Sequence, residues 1–336
     1  MTTTPDSELV AFAREAGLLG ADDTGVWTSL TGGVSSDIWR LDAGGRSICV
    51  KRALAQLKVA ADWRVPTARN LYEWRWIEWV ARAFPGVVPE PLAMDEKRGA
   101  FAMAFLPATA FPLWKQQLFA GVIIGEMAWR VGYCLGAMHA KSAGDPALAT
   151  HFQTDDLFHA LRIEPYLLAT AARHEDVGDA IRALARRTAQ TKRVLVHGDV
   201  SPKNILMGRE TPVFLDAECA WWGDPAFDAA FLINHLLLKQ IALPDHAQSF
   251  SVCVEAFEDG YFSHVGWEPR PLLQARIAAL TPALLLARID GKSPVEYITE
   301  DTDKDRVRQA AKALIAAPPL NIRTLQAAFS QRTGLA

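Results

Sequence analysis

The chain has 336 residues, half of them hydrophobic, and a formal net charge of -3. That length supports two separate cores, and the small net charge gives no general pull towards nucleic acid or an anionic membrane surface. Cys49, Cys134, Cys219 and Cys253 are isolated and mostly flanked by apolar residues, which suits reduced core thiols better than a disulfide framework or a metal site.

In chain order, residues 1–20 read as an amphipathic helix. They lack the basic start and uninterrupted apolar core of a signal peptide. The longest apolar stretches carry Glu126, Arg130 and Arg288, so none reads as a membrane span. The expectation is a cytoplasmic protein with small-molecule partners and no nucleic acid or membrane, a homodimer being left open. Residues 26–52 read as strands around the turn Leu30-Thr31-Gly32-Gly33-Val34-Ser35-Ser36, and Ile48-Cys49-Val50 is an apolar run that delivers Lys51. Taken alone, the glycine pair marks only a hairpin. After Asp62-Trp63-Arg64, a helix over 65–84 offers Glu73, or Glu78 five residues on, as a partner for Lys51, while Trp74, Trp76 and Trp79 read as packing. A strand pair spans 91–105, and Phe101–Pro107 runs into a linker with exposed backbone. From about 118 the chain is mainly helical, with a helix over 119–141 that ends in His139 and another over 226–240. There are no internal repeats, low-complexity tracts or heptads.

Residues 194–228 carry the chemistry. Val194-Leu195-Val196 reads as a buried strand that delivers His197 and Asp199 to a loop, and Ile205-Leu206-Met207 and Val213-Phe214-Leu215 read as a short hairpin. A hydroxyl attacking the γ-phosphorus of ATP needs a carboxylate to orient it and accept its proton, and Asp199 is the candidate. Asn204 is spaced to turn back onto Mg²⁺. Asp216, at the end of the next apolar strand, is placed to bridge the metal to phosphate oxygens. The order H-x-D-x-x-x-x-N followed by a strand ending in Asp is similar to that of protein kinases. However, His197-Gly198-Asp199 replaces H-R-D, Asp216-Ala217-Glu218 replaces D-F-G, and no A-P-E segment follows.

Three ordered blocks, His197-Gly198-Asp199 with Pro202 and Asn204, Leu215-Asp216-Ala217-Glu218, and Gly223-Asp224-Pro225 with Asp228, resemble the aminoglycoside phosphotransferase and choline kinase superfamily. The likeness runs over most of residues 28–300. Within it, Lys51-Arg52-Ala53, Leu57-Lys58-Val59, Asp62-Trp63-Arg64 and Glu218 to Gly223 are most similar to methylthioribose kinases. The resemblance implies an α+β, two-lobed protein-kinase-like fold: a small antiparallel-sheet lobe over 1–107 ending in a hinge, and a larger, mainly helical lobe over 108–336. It implies ATP and Mg²⁺ as cofactors and a hydroxyl of a small molecule as acceptor. The implied nucleotide contacts are Gly32, Gly33, Val34, Ser35 and Ser36 over the triphosphate, Lys51 fixed by Glu73, and Met103 and Phe105 at the adenine. Asp199 is catalytic, Asn204 and Asp216 hold metal, and His197 and Asp228 brace the loop.

The substrate set is Trp63, Arg64, Glu218, Trp221, Trp222 and Arg288. Adjacent side chains point different ways, so one of Trp221 and Trp222 reads as core and the other as a flat pocket wall. Trp63 and Arg64 read equally as a lid or a surface loop. Arg288 either contacts substrate, as the resemblance implies, or forms a salt bridge on a helix surface. Where the superfamily has His-Pro-Gly-Asn, this chain has Ser201-Pro202-Lys203-Asn204, which adds a cation. After Asp305 the chain carries Arg306, Arg308, Lys312, Arg323 and Arg332 and no acid, which disfavours a polycationic antibiotic. A neutral or anionic polyol such as a methylthioribose-like pentose fits better. The alternatives are an amino alcohol such as choline, ethanolamine or homoserine, choline being held in a cation-π box of Trp221, Trp222 and Trp63, an aminoglycoside, and a non-catalytic nucleotide-binding pseudokinase.

Overall fold

The computed structural model describes residues 4–30, 36–54 and 68–335. They form two compact units, Met1–Phe111 with Val213–Glu218, and Pro112–Pro212 with Cys219–Ala336. The sequence reading makes a single cut at 107/108; contacts instead assign the short segment that carries Asp216 to the first unit.

The first unit contains α1 (Ser7–Glu15), β1 (Val26–Ser29), β2 (Ser36–Ala43), β3 (Arg46–Ala53), α2 (Arg69–Ala83), β4 (Pro91–Asp95) and β5 (Ala100–Ala104). The strands make one antiparallel sheet in the order β1-β2-β3-β5-β4. β3 is central, and Lys51 pairs across to Ile38 and Phe101. Leu9, Phe12 and Ala13 of α1 pack with Trp39, Leu41, Ile48, Val50, Ala100 and Ala102 of the sheet. Asp6 caps α1 through the Leu9 amide. Arg98, in the turn between β4 and β5, clasps Glu8 and Glu15 of α1 together with Asp95. α2 buries Trp76, Ile77 and Val80, and the Trp74 ring lies 5.8 Å from Phe101. The Phe214 amide donates to the Val87 carbonyl at 2.8 Å, tying the segment before Asp216 into this unit.

The second unit contains α3 (Trp114–Phe119), α4 (Gly125–Ser142), α5 (Pro146–His151), α6 (Asp155–Phe158), a π-helical stretch His159–Leu168, α7 (Ala169–Arg173), α8 (Glu175–Gln190), β6 (Val194–Val196), β7 (Ile205–Met207), β9 (Trp221–Gly223), α9 (Pro225–Ala242), α10 (Ala247–Phe262), α11 (Arg270–Asp290), α12 (Asp301–Ala316) and α13 (Ile322–Thr333), whereas Val213 and Phe214 of β8 (Pro212–Phe214) belong to the first unit. α9 is apolar almost all round, as a central helix must be, and every residue from Pro225 to Ile241 is buried. α11 has the length and apolar composition of a membrane span, but its apolar window is mostly buried within this unit as a core helix. α4 and α10 touch backbone to backbone: a Cβ on Gly132 would stand 2.3 Å from the Phe257 carbonyl, and one on Gly260 2.2 Å from the Trp129 carbonyl. No disulfide forms among the described residues, and burial pushes Cys49 and Cys253 up to about 12 and Cys134 to about 11, leaving these three thiols inert.

Candidate active site

In the first unit, β3 aims Lys51 into an acidic cluster. Its Nζ lies 2.8 Å from both carboxylate oxygens of Glu73 and 2.6 Å from Asp216 Oδ1. Lys51 is 3% and Glu73 1% exposed. Burial works to lower the Lys51 pKa, but Asp216, Glu73 and Glu218 outweigh it and hold the lysine charged. Burial raises Glu73 to about 7 against the pull of Lys51. Glu78 instead faces outward, 3.6 Å from Arg82, so of the two helix glutamates Glu73 is the partner. Asp216 has φ +65°, the one left-handed non-glycine among the described residues. Holding an aspartate there costs about 1–3 kcal/mol, offset by the lysine it meets.

Glu218 does not stand open to a substrate: the wholly buried Arg69 donates to its Oε2 at 3.1 Å and to the Leu54 carbonyl at 2.6 Å. Phe105 lies just past the end of β5. Its amide is used within the sheet, donating to the Ser47 carbonyl at 3.2 Å, and the Ala104 amide donates to Glu90 at 2.8 Å. The Phe105 ring sits under Arg40. Met103 is half-buried and paired with Cys49. Ser36 is buried, with its hydroxyl unpartnered. Gly32, Gly33, Val34, Ser35, Trp63 and Arg64 lie outside the described residues.

In the second unit, β6 leads into a loop held from below by α9. The Asp228 carboxylate accepts from the His197 and Gly198 amides, both at 2.8 Å, and is 3.2 Å from His139 Nε2; the Tyr261 hydroxyl is 2.9 Å from His139 Nδ1. His197 Nδ1 accepts from the Asp199 amide at 3.1 Å. Gly198 has φ +82°, and a Cβ there would lie 2.6 Å from the Cys219 carbonyl, so only glycine fits. Asp199 is 3% exposed. Its Oδ2 lies 3.1 Å from Arg162 Nη2 and 3.2 Å from Lys203 Nζ, whereas its Oδ1 is buried without a hydrogen-bond partner. One oxygen is anchored and the other is not.

Arg162 is the residue that sequence reasoning missed. It also donates through Nε to the Gly198 carbonyl at 2.5 Å. The π-helical stretch that presents it contains Pro165, which has no amide to donate. A proline inside HALRIEPYLL was the available signal.

Hard oxygen donors suit Mg²⁺. Asp216 offers a carboxylate whose side chain is 28% exposed. Asn204 commits its amide nitrogen to the Asp199 carbonyl at 3.1 Å, which leaves its side-chain oxygen as an acceptor. Each offers a hard oxygen and neither is a thiol or an imidazole, so each taken by itself suits such an ion.

The tryptophan pair is divided. Trp221 is 1% exposed, stacked on Phe158 at 4.1 Å, with Lys192 over its ring and its Nε1 donating to Asp155 at 3.0 Å. It is therefore not available for a cation-π box. Trp222 is half-buried, on the alternate face of β9. Arg288 corrects the surface salt bridge: it is 8% exposed, bonds the Tyr166 hydroxyl at 3.2 Å and Ser293 Oγ at 2.9 Å, and meets no carboxylate among the described residues. The basic C-terminus is largely neutralised, Arg306 by Asp303, Arg308 by Asp290 and Asp305, and Lys312 by Asp176. It therefore says less about acceptor charge than its sequence implies.

The sequence profile of the phosphotransferase enzyme family matches residues 26–248. The chain belongs to this family. A methylthioribose kinase of Bacillus cereus is 22% identical over 358 aligned positions, covering 91% of this chain and 89% of that one. Among solved structures, this phosphotransferase resembles a choline/ethanolamine kinase family protein from Mesorhizobium loti (19% identity, 97% and 99% coverage, TM-score 0.53). It also resembles amicoumacin kinase in complex with AMP-PNP and Ca²⁺ (16% identity, 94% and 95% coverage, TM-score 0.57). At these identities the structures establish the fold, which is the protein-kinase-like α+β fold of the family. The protein is an ATP-dependent phosphotransferase acting on an alcohol group.

Proposed function

We propose that this phosphotransferase moves the γ-phosphoryl group of Mg·ATP to a hydroxyl of a small neutral or anionic polyol, of which a methylthioribose-like pentose is one example. The observation that carries the reading is the asymmetric Asp199 carboxylate, with Oδ2 anchored by Arg162 and Lys203 and Oδ1 buried and unpartnered.

Asp199 Oδ1 accepts the hydrogen bond of the incoming hydroxyl, orients its oxygen and takes its proton as the new oxygen–phosphorus bond forms. The bond between the γ-phosphorus and the bridging oxygen breaks, and ADP leaves with that electron pair. Lys51, held by Glu73, contacts the α- and β-phosphates. Asp216 and Asn204 would hold Mg²⁺, which would neutralise charge on the phosphate oxygens. His197 and Asp228 keep the loop in shape. Trp222 and Arg288 remain the substrate candidates from the second unit. The burial of Trp221 weighs against the choline alternative, because a cation-π box loses one of its walls.

The test is Mg·ATP-dependent ADP release against 5-methylthioribose, other pentoses, choline, ethanolamine, homoserine and aminoglycosides, with Asp199→Asn as blank. One strong polyol acceptor, lost in the variant while Mg·ATP binding persists, is the expected outcome. A strong cationic acceptor would overturn the polyol reading, and turnover that survives in Asp199→Asn would overturn the assignment of the base.

A further inference from the structure

The apolar helix α9 carries two polar side chains that the reaction above leaves unused. His235 is 5% and Lys239 1% exposed. His235 Nδ1 lies 3.5 Å from the Tyr297 hydroxyl, and its Nε2 is buried without a partner. Lys239 Nζ stands 4.7 Å from the centre of the Tyr297 ring and 5.3 Å from that of Phe119, and 3.5 Å from the His235 carbonyl. On α11, Arg288 Nη1 is bonded, but its buried Nε has no partner. These groups adjoin the catalytic aspartate through aromatic rings. The Tyr166 ring is 5.6 Å from both the Arg288 and Arg162 guanidiniums, Arg162 reaches Asp199, and Phe231 lies 5.5 Å from Tyr166 and 5.3 Å from His235.

Lys203 on the catalytic loop and Lys115 on α3 complete the set, and His235 feels the positive charge of Arg288, Lys239, Lys203 and Lys115. The nearby acids are already engaged: Glu296 pairs with Lys115, and Asp199 with Arg162 and Lys203. No carboxylate forms a salt bridge with Arg288 or Lys239 among the described residues. Burial, with the charge of Lys115 and Arg288 against the weaker opposition of Glu296, pushes Lys239 down to about 7, and burial drives His235 well below its ordinary value.

Cations and imidazole buried together without a counter-ion are unfavourable, and buried donors left unpaired are rare in folded proteins. Packing alone would be met better by leucine and phenylalanine. The missing component is negative charge with acceptor oxygens. Lys203, with half its side chain exposed, and Lys115, with about a third, are the members open to solvent.

Building on the kinase reading, we propose that the acceptor carries an anionic group, a carboxylate or a phosphate, which binds Arg288, His235 and Lys203 while its hydroxyl reaches Asp199 Oδ1. Lys239 and Lys115 supply the surrounding positive field.

The test uses matched acceptors, D-ribose against D-ribose 5-phosphate and glycerol against D-glycerate, with saturating Mg·ATP. The anionic member of at least one pair should be favoured in kcat/KM by about 100-fold, the scale of one to two strong charge-assisted contacts. Arg288→Met and His235→Gln should each reduce that ratio about tenfold or more without moving the KM for ATP. Direct binding is read by calorimetry of D-ribose 5-phosphate and D-glycerate into Mg·ADP-saturated protein at pH 7, in two buffers of different ionisation enthalpy. Binding should bring uptake of about half a proton as Lys239 becomes charged, and Lys239→Met should abolish the uptake while leaving a folded protein by circular dichroism. A neutral or cationic acceptor preferred over both anions, absence of binding by either anion, or binding indifferent to Arg288→Met would each overturn the proposal. Anion binding that persists with no turnover of any acceptor would leave the anion site standing and overturn the kinase reading instead.

Discussion

Asp228 accepts hydrogen bonds from two consecutive backbone amides, those of His197 and Gly198, both at 2.8 Å. It thereby shapes the loop that carries Asp199. Asp228→Asn would set an amide nitrogen against one of these donors, and should destabilise the protein by about 3 kcal/mol as well as lowering kcat. Urea unfolding measures the first effect. A loss below about 1 kcal/mol would mean that the loop is held by other contacts.

Gly198→Ala tests the same loop from the backbone. The left-handed φ of +82° and the Cys219 carbonyl 2.6 Å from the new Cβ make two unfavourable contributions, together about 2–4 kcal/mol. A melting temperature within a degree of the wild type would show that the loop relaxes freely.

The Lys51–Glu73 pair should behave non-additively. Lys51→Met leaves Glu73 buried without its cation and should cost about 3 kcal/mol or more, whereas Lys51→Met with Glu73→Gln should recover much of that loss. Both variants should lose Mg·ATP turnover. A double-mutant cycle in urea gives the coupling, and additive losses would show that Lys51 and Glu73 are independent.

Lys239 provides a pH test with a defined sign. Its folded-state pKa is about 7, below the ordinary 10.5, so between these values the unfolded chain binds more protons than the folded one. Its contribution to stability therefore rises with pH from about 7 to 10, and the penalty of a buried charge is full below 7. Lys239→Met removes that penalty. It should melt higher than wild type at pH 6.5, with the difference shrinking by pH 9.5. A difference that stays constant across this range would mean that Lys239 keeps the same charge state in both forms.

Much of the local structure was legible from local pattern. Ile48-Cys49-Val50 and Val194-Leu195-Val196 are strands because apolar runs of that length suit a buried sheet, and their ends place Lys51 and His197 where polar chemistry starts. Helix boundaries drifted by several residues: the helix expected over 119–141 begins at Gly125, since Trp114–Phe119 closes as a separate short helix. Partner choice was not legible from local pattern. Glu73 and Glu78 share one helix and one chemistry; the family resemblance pointed to Glu73, and the packing of α2 on β3 sets it against Lys51.

Which residue types stand at the ends of which strands follows from local sequence, because strand and turn formation depend on neighbours a few positions apart. Tertiary structure decided what each one meets. Lys51 and Asp216 are 165 positions apart and Arg69 and Glu218 are 149 apart, and at such separations no periodicity reports contact. The same holds for Trp221, sent into the core by Phe158, for Arg162, aimed at Asp199 by a π-helical turn, and for Arg288, buried where a surface salt bridge was one expectation. These outcomes depend on which faces pack together, and that is settled by the burial of the whole chain.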